Sequence, residues 1–267
     1  MGTRIHPSAV IDSSAELADD VEVGPGAIIE AGCRIGPGTV LMAHAFVGRN
    51  TVLGEGNALH IGAVVGHAPQ DISSTGDEEA RVVVGDRNVF REYCTVHRGS
   101  RDGNETIIGN DNFFMAQAHI AHDCKLGNHI ILAVGALLAG HVTMEDHAFL
   151  SGNAAVHQFC RIGEYAFVSG LSRVSKDPPP YFLIKGDSQV FGLNSVGLKR
   201  GGFSEEERLL IRRAYKILFR KNLRLERALS MIEMTLSNSP HALHLVEFVR
   251  SSERGICTHA RKGTPRR

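Results

Sequence analysis

Residues 120–144 read IAHDCKLGNHIILAVGALLAGHVTM and carry a large apolar side chain at every sixth position. The spacing extends from Val84 to Val174 with one interruption at Asp102, and an earlier block runs in the same rhythm from Ile5 to Val65. Six matches neither the α-helical period nor the alternation of a half-buried strand. The pattern therefore indicates an array of short repeats, and because each is too small to bury its own apolar face, stacking must supply the core.

This period resembles the hexapeptide repeat of acyltransferases. The resemblance implies a mainly β fold, a left-handed parallel β-helix with three hexads, about 18 residues, in each triangular coil. The handedness comes from the resemblance, since parallel crossovers are usually right-handed. Glycine often follows the apolar position directly, as at Gly36 and Gly48, and we expect corners with positive φ there.

Composition is that of an ordinary soluble protein. The chain has 267 residues, 43% hydrophobic content and a formal net charge of zero, which gives no general reason to expect nucleic-acid binding. The apolar run at residues 130–139 is too short to span a bilayer, so we expect a cytoplasmic protein without membrane insertion. Four of the five cysteines fall at small, inward positions of hexads and are interpreted as packing residues in a reducing compartment.

The chain divides into three predicted parts. We assign residues 1–190 to the β-helix, residues 191–257 to a C-terminal α-helical domain, and residues 258–267 to a disordered basic tail. Two excursions interrupt the repeats, at about residues 66–81 and 98–106, and such insertions often map to a binding face.

Proline and capping patterns set the boundaries within this plan. The prolines at 178–180 should end the array, because proline cannot donate to a sheet ladder. Ser204 and Glu207 form a capping-box pattern that predicts a helix start, a second helix should cover about residues 223–236, and a third should begin at Ser239.

A polar strip should run along one edge of the prism. With about 18 residues per coil, Gly140 stacks above His122 and Gln158 above Gly140, while Asp123 lies beneath His141, at steps of about 4.8 Å. A carboxylate beside an imidazole can orient it and favour its protonated form. The strip makes His122 a candidate for chemistry rather than an ordinary surface histidine.

The segments VGDRNVFRE, TVHRG, AHIAHDC, LAGHV, AVHQF and GLKRGGF, in this order and spacing, closely resemble the bacterial UDP-N-acetylglucosamine O-acyltransferases, the first enzymes of lipid A synthesis. The resemblance covers nearly the whole chain. It implies transfer of an (R)-3-hydroxyacyl group from acyl carrier protein to the glucosamine 3-hydroxyl of UDP-N-acetylglucosamine. It implies no cofactor and no catalytic metal. It also implies a homotrimer with sites between protomers.

The resemblance assigns roles to individual residues. His122 would be the general base, Asp123 its support, and Gly140 the backbone N–H donor to the oxyanion, a placement that coil stacking reaches independently. Gly170 would set the length of the acyl groove. The positions that match substrate contacts in the family are Asp71, His119, His141, His157, Gln158, Asn194 and Arg200.

Three departures from the family pattern bear on nucleotide binding. Ser73 stands where familiar members have lysine, Val196 replaces an acidic residue, and Gly201 replaces a second arginine. Some relatives accept a 3-amino sugar, so the acceptor atom stays open between oxygen and nitrogen.

A concentration of positive charge stands out in the helical part of this neutral chain. Arg212, Lys216 and Arg220 are spaced to share one helix face, and an exposed basic face would steer the acidic carrier protein. The alternative is a solvated face without a partner, because charge arrays of this kind are common on helices.

Two further functions remain open from the residues. A γ-type carbonic anhydrase is also a left-handed β-helix trimer and needs three histidines on zinc, although the surrounding segments match the acyltransferase instead. A noncatalytic scaffold or ice-binding surface would require regular threonine ladders, and the repeats contain none.

Overall fold

The computed structural model describes residues 2–74 and 79–259. Most of this chain forms a prism of three parallel sheets, in which successive short strands belong to successive faces. The first sheet contains, in spatial order, β1 (Arg4–Ile5), β4 (Glu22–Val23), β7 (Val40–Leu41), β10 (Ala58–Leu59), β13 (Val89–Phe90), β16 (Phe113–Phe114), β19 (Ile131–Leu132), β22 (Phe149–Leu150), β25 (Phe167–Val168), β27 (Phe182–Lys185) and β28 (Gln189–Leu193).

The second sheet contains β2 (Val10–Ile11), β5 (Ile28–Ile29), β8 (Phe46–Val47), β11 (Val64–His67), β14 (Thr95–His97), β17 (His119–Ile120), β20 (Leu137–Leu138), β23 (Ala155–Val156) and β26 (Arg173–Val174). The third sheet contains β3 (Glu16–Leu17), β6 (Arg34–Ile35), β9 (Val52–Leu53), β12 (Arg81–Val84), β15 (Glu105–Ile108), β18 (Lys125–Leu126), β21 (Thr143–Met144) and β24 (Arg161–Ile162).

The sixth-position side chains form the core of the prism. Ile120 pairs in register with Leu138 on the next coil, and Leu138 pairs in the same way with Val156, so a coil contains three hexads. All three side chains are buried. The first coil is the exception, with Ile5 50% exposed and Ile11 and Leu17 only partly buried, because no described coil lies beneath it. The predicted β-helix is confirmed.

Both excursions leave the prism at the same edge, between the second and third sheets. Leu53 pairs with Val84, so the first excursion makes that coil much longer than three hexads and shifts the repeat by one position. Val84 pairs with Ile108, so the second excursion adds one whole hexad to its coil and keeps the phase. We call this corner the His122 edge, because it also carries His122.

The predicted reason for the corner glycines was wrong. Gly36 and Gly48 do not adopt positive φ, whereas the second residue of many corners does, including Asp123 at 59° and His141 at 60°. Gly36 is needed for close approach instead, because a Cβ there would collide with the carbonyl group of Gly54 on the next coil.

The prolines at 178–180 do not end the first sheet. The chain resumes a strand at Phe182, where β27 pairs in parallel with β25, and β28 then returns antiparallel to β27. The proposed domain boundary after residue 190 falls inside β28, although the division itself remains a prediction.

Four helices follow: α1 (Ser195–Arg200), α2 (Glu205–Arg220), α3 (Leu225–Thr235) and α4 (Pro240–Arg250). The predicted capping box opens α2, with reciprocal bonds between Ser204 and Glu207, and Ser239 caps α4. In the ranges described, no helix is long and apolar enough to cross a membrane. All five cysteines are free and buried, as predicted for the four in the hexads, and Cys257 joins them.

The last described residues return to the prism. Ile256 forms a bridge with Asp177 and Thr258 with Gln189, and the His259 ring reaches the Tyr215 hydroxyl at 2.5 Å. The first two residues of the predicted tail therefore contact the fold. The rest of that tail, 260–267, lies outside the described residues.

Candidate active site

His122 and Asp123 occupy the turn that joins β17 to β18 at the His122 edge. Their side chains meet, with His122 Nδ1 2.6 Å from Asp123 Oδ2. Asp123 holds a positive φ of 59°, a conformation that aspartate tolerates better than most residues. The local turn therefore presents an imidazole and a carboxylate from adjacent residues as one unit.

Asp123 is suited to remain ionised. Burial alone would raise the pKa of its carboxyl, but hydrogen bonds from His122 and from the Ser100 backbone N–H, at 3.2 Å, lower the pKa below its usual value. A carboxylate at Nδ1 favours the tautomer that donates from Nδ1 and leaves the lone pair on Nε2. His122 Nε2 is then the atom free to accept a proton.

Gly140 lies against the His122 ring, as the coil arithmetic predicted. A Cβ on Gly140 would stand 2.5 Å from Cε1 and 2.7 Å from Nε2 of His122. The amides on either side are engaged, Ala139 N with Val156 O and His141 N with His122 O. Within residues 2–74 and 79–259, the Gly140 N–H has no such hydrogen bond. A glycine here lets the imidazole sit beside an available N–H donor.

His141 and Asp71 complete the surroundings of His122. His141 Nε2 lies 3.5 Å from Asp123 Oδ2, and its ring stacks on Phe159 at 4.6 Å. Asp71 Oδ2 lies 3.9 Å from His122 Nε2. Bonds from the backbone N–H and the hydroxyl of Ser73 lower the pKa of the Asp71 carboxyl. The departure at Ser73 therefore positions this carboxylate.

The two excursions enclose a cavity of about 290 Å³ beside these residues. The Ser74 hydroxyl donates to Ser100 O at 3.2 Å and ties one excursion to the other. Arg101 supplies a cation to this cavity. The lining residues are Asp71, Ser73, Ser74, Ser100, Arg101, Asn104 and His141. The sequence analysis predicted Asp71 and His141 at the site but missed Arg101. Its position within the second excursion was the only sequence feature that pointed to it.

His119 is held by a pair of contacts on the second sheet. Its Nδ1 lies 2.8 Å from Thr95 Oγ1, and its ring packs edge-on against His97 at 4.8 Å between centroids. Burial and the nearby His122 lower the pKa of His119. His97, which sequence reasoning also missed, is 4% exposed, and burial lowers its pKa to about 4, so it is neutral at physiological pH.

The other predicted site residues lie apart from His122 within one chain. His157 and Gln158 are exposed on the same edge, two coils beyond His122. Asn194 is buried, and its side chain caps α1 through Gly197 N at 3.0 Å and donates to Tyr165 O at 2.9 Å. Arg200 is exposed at the end of α1.

Gly170 and the basic residues lie farther away along the fold. Gly170 stands at a different edge, between the first and second sheets, in the turn from β25 to β26. Arg212, Lys216 and Arg220 are exposed on α2, and we call this the basic face.

Comparison with known proteins agrees with the fold. Residues 2–37 match the family model for the bacterial transferase hexapeptide (six repeats), and residues 177–257 match the one for Udp N-acetylglucosamine O-acyltransferase, domain 2. A Halorhodospira halophila protein named acyl-[acyl-carrier-protein]–UDP-N-acetylglucosamine O-acyltransferase is 45% identical over 95% of this chain and 99% of its own. A protein of the same name from Herminiimonas arsenicoxydans is 48% identical over 94% and 98%.

Solved structures of UDP-N-acetylglucosamine acyltransferases are also similar to this chain. The UDP-N-acetylglucosamine acyltransferase of Francisella novicida superposes with a TM-score of 0.91 at 38% identity, covering 96% of this chain and 95% of that one. The Arabidopsis enzyme superposes with a TM-score of 0.82 at 36% identity, covering 95% and 99%.

Stacked hexads with a histidine–carboxylate pair at one edge define a hexapeptide-repeat transferase, and the left-handed β-helix expected for that class is confirmed. Within the class, the chain belongs to the UDP-N-acetylglucosamine O-acyltransferase family. Its relatives favour this family over the zinc carbonic anhydrase and the scaffold.

Proposed function

We propose that this chain transfers an (R)-3-hydroxyacyl group from acyl carrier protein to the 3-hydroxyl of UDP-N-acetylglucosamine, the first step of lipid A synthesis, in the cytoplasm. The full-length relatives that carry this activity in their names support the assignment. The observation that carries it is the His122–Asp123 pair packed against Gly140. A base with an oriented tautomer beside an available N–H is what acyl transfer to a hydroxyl requires.

The proposed reaction begins at His122. Its Nε2 takes the proton of the sugar 3-hydroxyl as the oxygen attacks the thioester carbonyl, because an unassisted hydroxyl is a weak nucleophile at neutral pH. Asp123 stabilises the imidazolium through the 2.6 Å contact with Nδ1. The Gly140 N–H donates to the oxyanion of the tetrahedral intermediate. Collapse breaks the C–S bond, and the departing thiolate takes the proton back from His122.

The residues around the cavity are proposed to hold the sugar. Asp71 and His141 line it together and offer a hydrogen-bond acceptor and an imidazole to the hydroxyl and amide groups of the ring. His119 would reach the same substrate from the second sheet.

We propose a homotrimer as the working form. Four of the predicted substrate contacts do not surround His122 within one chain. They are His157, Gln158, Asn194 and Arg200. A second copy packed alongside would bring residues of α1 toward the cavity of its neighbour. One site could then contain both the residues assigned to the sugar and those assigned to the nucleotide. Carrier protein would dock on the basic face.

A transfer assay tests the proposal. Purified full-length chain is supplied with UDP-N-acetylglucosamine or its 3-amino analogue and a ladder of 3-hydroxyacyl carrier proteins, with the His122→Ala variant as the matched control. Acylation of the 3-hydroxyl by wild type alone is expected. Transfer only to the 3-amino analogue would reassign the acceptor, and transfer to neither would overturn the proposed function.

A further inference from the structure

Three potential metal ligands converge at the His122 edge. One donor atom each from His122, Asp123 and His141 lies within 4.8 Å of the other two. Imidazole nitrogen and carboxylate oxygen are ligands that Zn²⁺ prefers. We propose that these three side chains form a binding site for Zn²⁺ and that the ion inhibits the enzyme by replacing the proton shared between His122 and Asp123. The ion takes no part in turnover.

The distances from Asp123 to the two histidines suit a tetrahedral ion after one local adjustment. Zinc bonds of roughly 2.0–2.2 Å place neighbouring ligands about 3.4 Å apart. Asp123 Oδ2 and His141 Nε2 already stand 3.5 Å apart. His122 Nδ1 and Asp123 Oδ2 are 2.6 Å apart as hydrogen-bond partners, and a rotation of the carboxylate opens that pair to the required separation.

Contacts outside the ligand set orient the ligands in the metal-free chain. Ser100 N donates to Asp123 Oδ1, the oxygen opposite the proposed metal ligand, at 3.2 Å. Phe159 stacks on the His141 ring at 4.6 Å and holds its plane. Outer contacts of this kind orient metal ligands in known zinc sites. A cavity of about 310 Å³ bordered by Asp123 and His141 gives an ion access to the site from solvent.

Occupancy of this site would inactivate the base by changing its tautomer. A metal ion on Nδ1 leaves the single proton of a neutral imidazole on Nε2. Nε2 then donates and cannot accept the proton of the sugar hydroxyl. This part of the inference rests on the proposed function, whereas binding of the ion does not. Inhibition should therefore lower kcat, and any rise in the KM for the sugar nucleotide that accompanies this loss comes from the engagement of His141, a proposed sugar contact, by the ion.

Direct titration separates binding from activity. The metal-free full-length chain is titrated with Zn²⁺ by calorimetry and with Co²⁺ by visible absorption, where a tetrahedral ion gives intense d–d bands. One ion per chain is expected, with affinity at least about 10²-fold weaker in His141→Gln, since even outer-shell changes cost 10–100-fold. His129→Gln is the matched control, because His129 stacks on His147 at a different edge, and it should bind as wild type does.

Equal affinity for Zn²⁺ in wild type and His141→Gln would overturn the site. The absence of binding at about 100 μM Zn²⁺ would also overturn it, because a site with a Kd in the micromolar range is largely occupied at that concentration. Zinc that raises the KM for the sugar nucleotide without lowering kcat would place the ion in the sugar cavity and overturn the tautomer mechanism. A chain that binds zinc as described yet transfers no acyl group would contradict the proposed function and not the site.

Discussion

His122 Nδ1 lies 2.6 Å from the carboxylate of its sequence neighbour Asp123, so the base and its support come from one turn rather than from two elements. Adjacent residues reach each other here because the turn gives Asp123 a positive φ and directs both side chains toward the same side of the edge. Ser100, from the second excursion, fixes the other carboxylate oxygen. The orientation of the pair therefore depends on an insertion as well as on the repeat.

Replacing the base should remove most of the activity. We expect His122→Ala to lower the transfer rate by about 10²–10⁴-fold, the usual contribution of a positioned general base, while folding and assembly are retained. Asp123→Ala should be milder, because it removes support for the base rather than the base. Steady-state rates with His129→Ala as the control measure both effects. Near-normal turnover of His122→Ala would exclude the assignment.

Gly140 should tolerate no side chain. In Gly140→Ala the new Cβ would begin 2.5 Å from Cε1 of His122, so the ring must move while the backbone N–H remains. Misplacing a catalytic group by about 1 Å can cost about 10²-fold in rate, which we expect in kcat. Gly192→Ala is the control, because nothing lies within 4 Å of a Cβ at that position. Equal kcat values for the two variants would show that the imidazole is free to shift.

The contact between the helices and the prism should depend on pH. His244 Nε2 lies 3.0 Å from Glu145 Oε2, and Nδ1 lies 3.5 Å from Glu164 Oε2. Hydrogen bonds to Glu145 and then Glu164 raise the pKa of His244 to about 9. Because the pKa is raised on folding, the stabilisation is complete below the ordinary value of 6.5 and disappears as pH rises through about 9.

Chemical denaturation of wild type and His244→Gln at several pH values tests this contact. Wild type should exceed the variant in free energy of unfolding by roughly 1–3 kcal/mol at pH 6, with a difference that shrinks toward zero by about pH 9.5. A difference that is independent of pH would mean that packing, rather than protonated His244, stabilises the interface.

Charge reversal should test the basic face. The double variant Arg212→Glu, Lys216→Glu should raise the apparent KM for acyl carrier protein about tenfold without changing the KM for the sugar nucleotide, because exposed charges steer association. The wild-type rate should fall as salt screens the attraction. A double reversal at the exposed Arg34 and Lys185, on the prism, matches the change in net charge. If both double variants behave alike, the basic face has no specific role.

The hexad period alone was enough to predict the β-helix and the stacking of residues from one coil to the next. The hexads located the stacked sheets, the buried sixth positions and the proximity of Gly140 to His122, because register follows from counting residues per coil. They could not predict the path of the insertions, so the contacts of Asp123 with Ser100 and of Asp71 with Ser73 appear only in the structure. The short helix α1 was also missed, because one buried residue, Leu198, leaves no apolar period to read.

The last expectation concerns the length of the transferred acyl chain. Gly170 is exposed, and a Cβ there would lie 3.2 Å from Gly152 O and 3.7 Å from Ser151 Oγ. The family resemblance places the end of the acyl groove at this position. Glycine leaves such a groove open, so wild type should prefer long 3-hydroxyacyl donors, around fourteen carbons by family resemblance. Gly170→Met should shift the preference toward about ten carbons, since dense walls do not readily yield to added methylenes. Competition between donors of graded length measures the shift, with the KM for sugar nucleotide as the internal control. If the variant keeps the wild-type preference, or wild type already prefers the short donor, another residue sets the length.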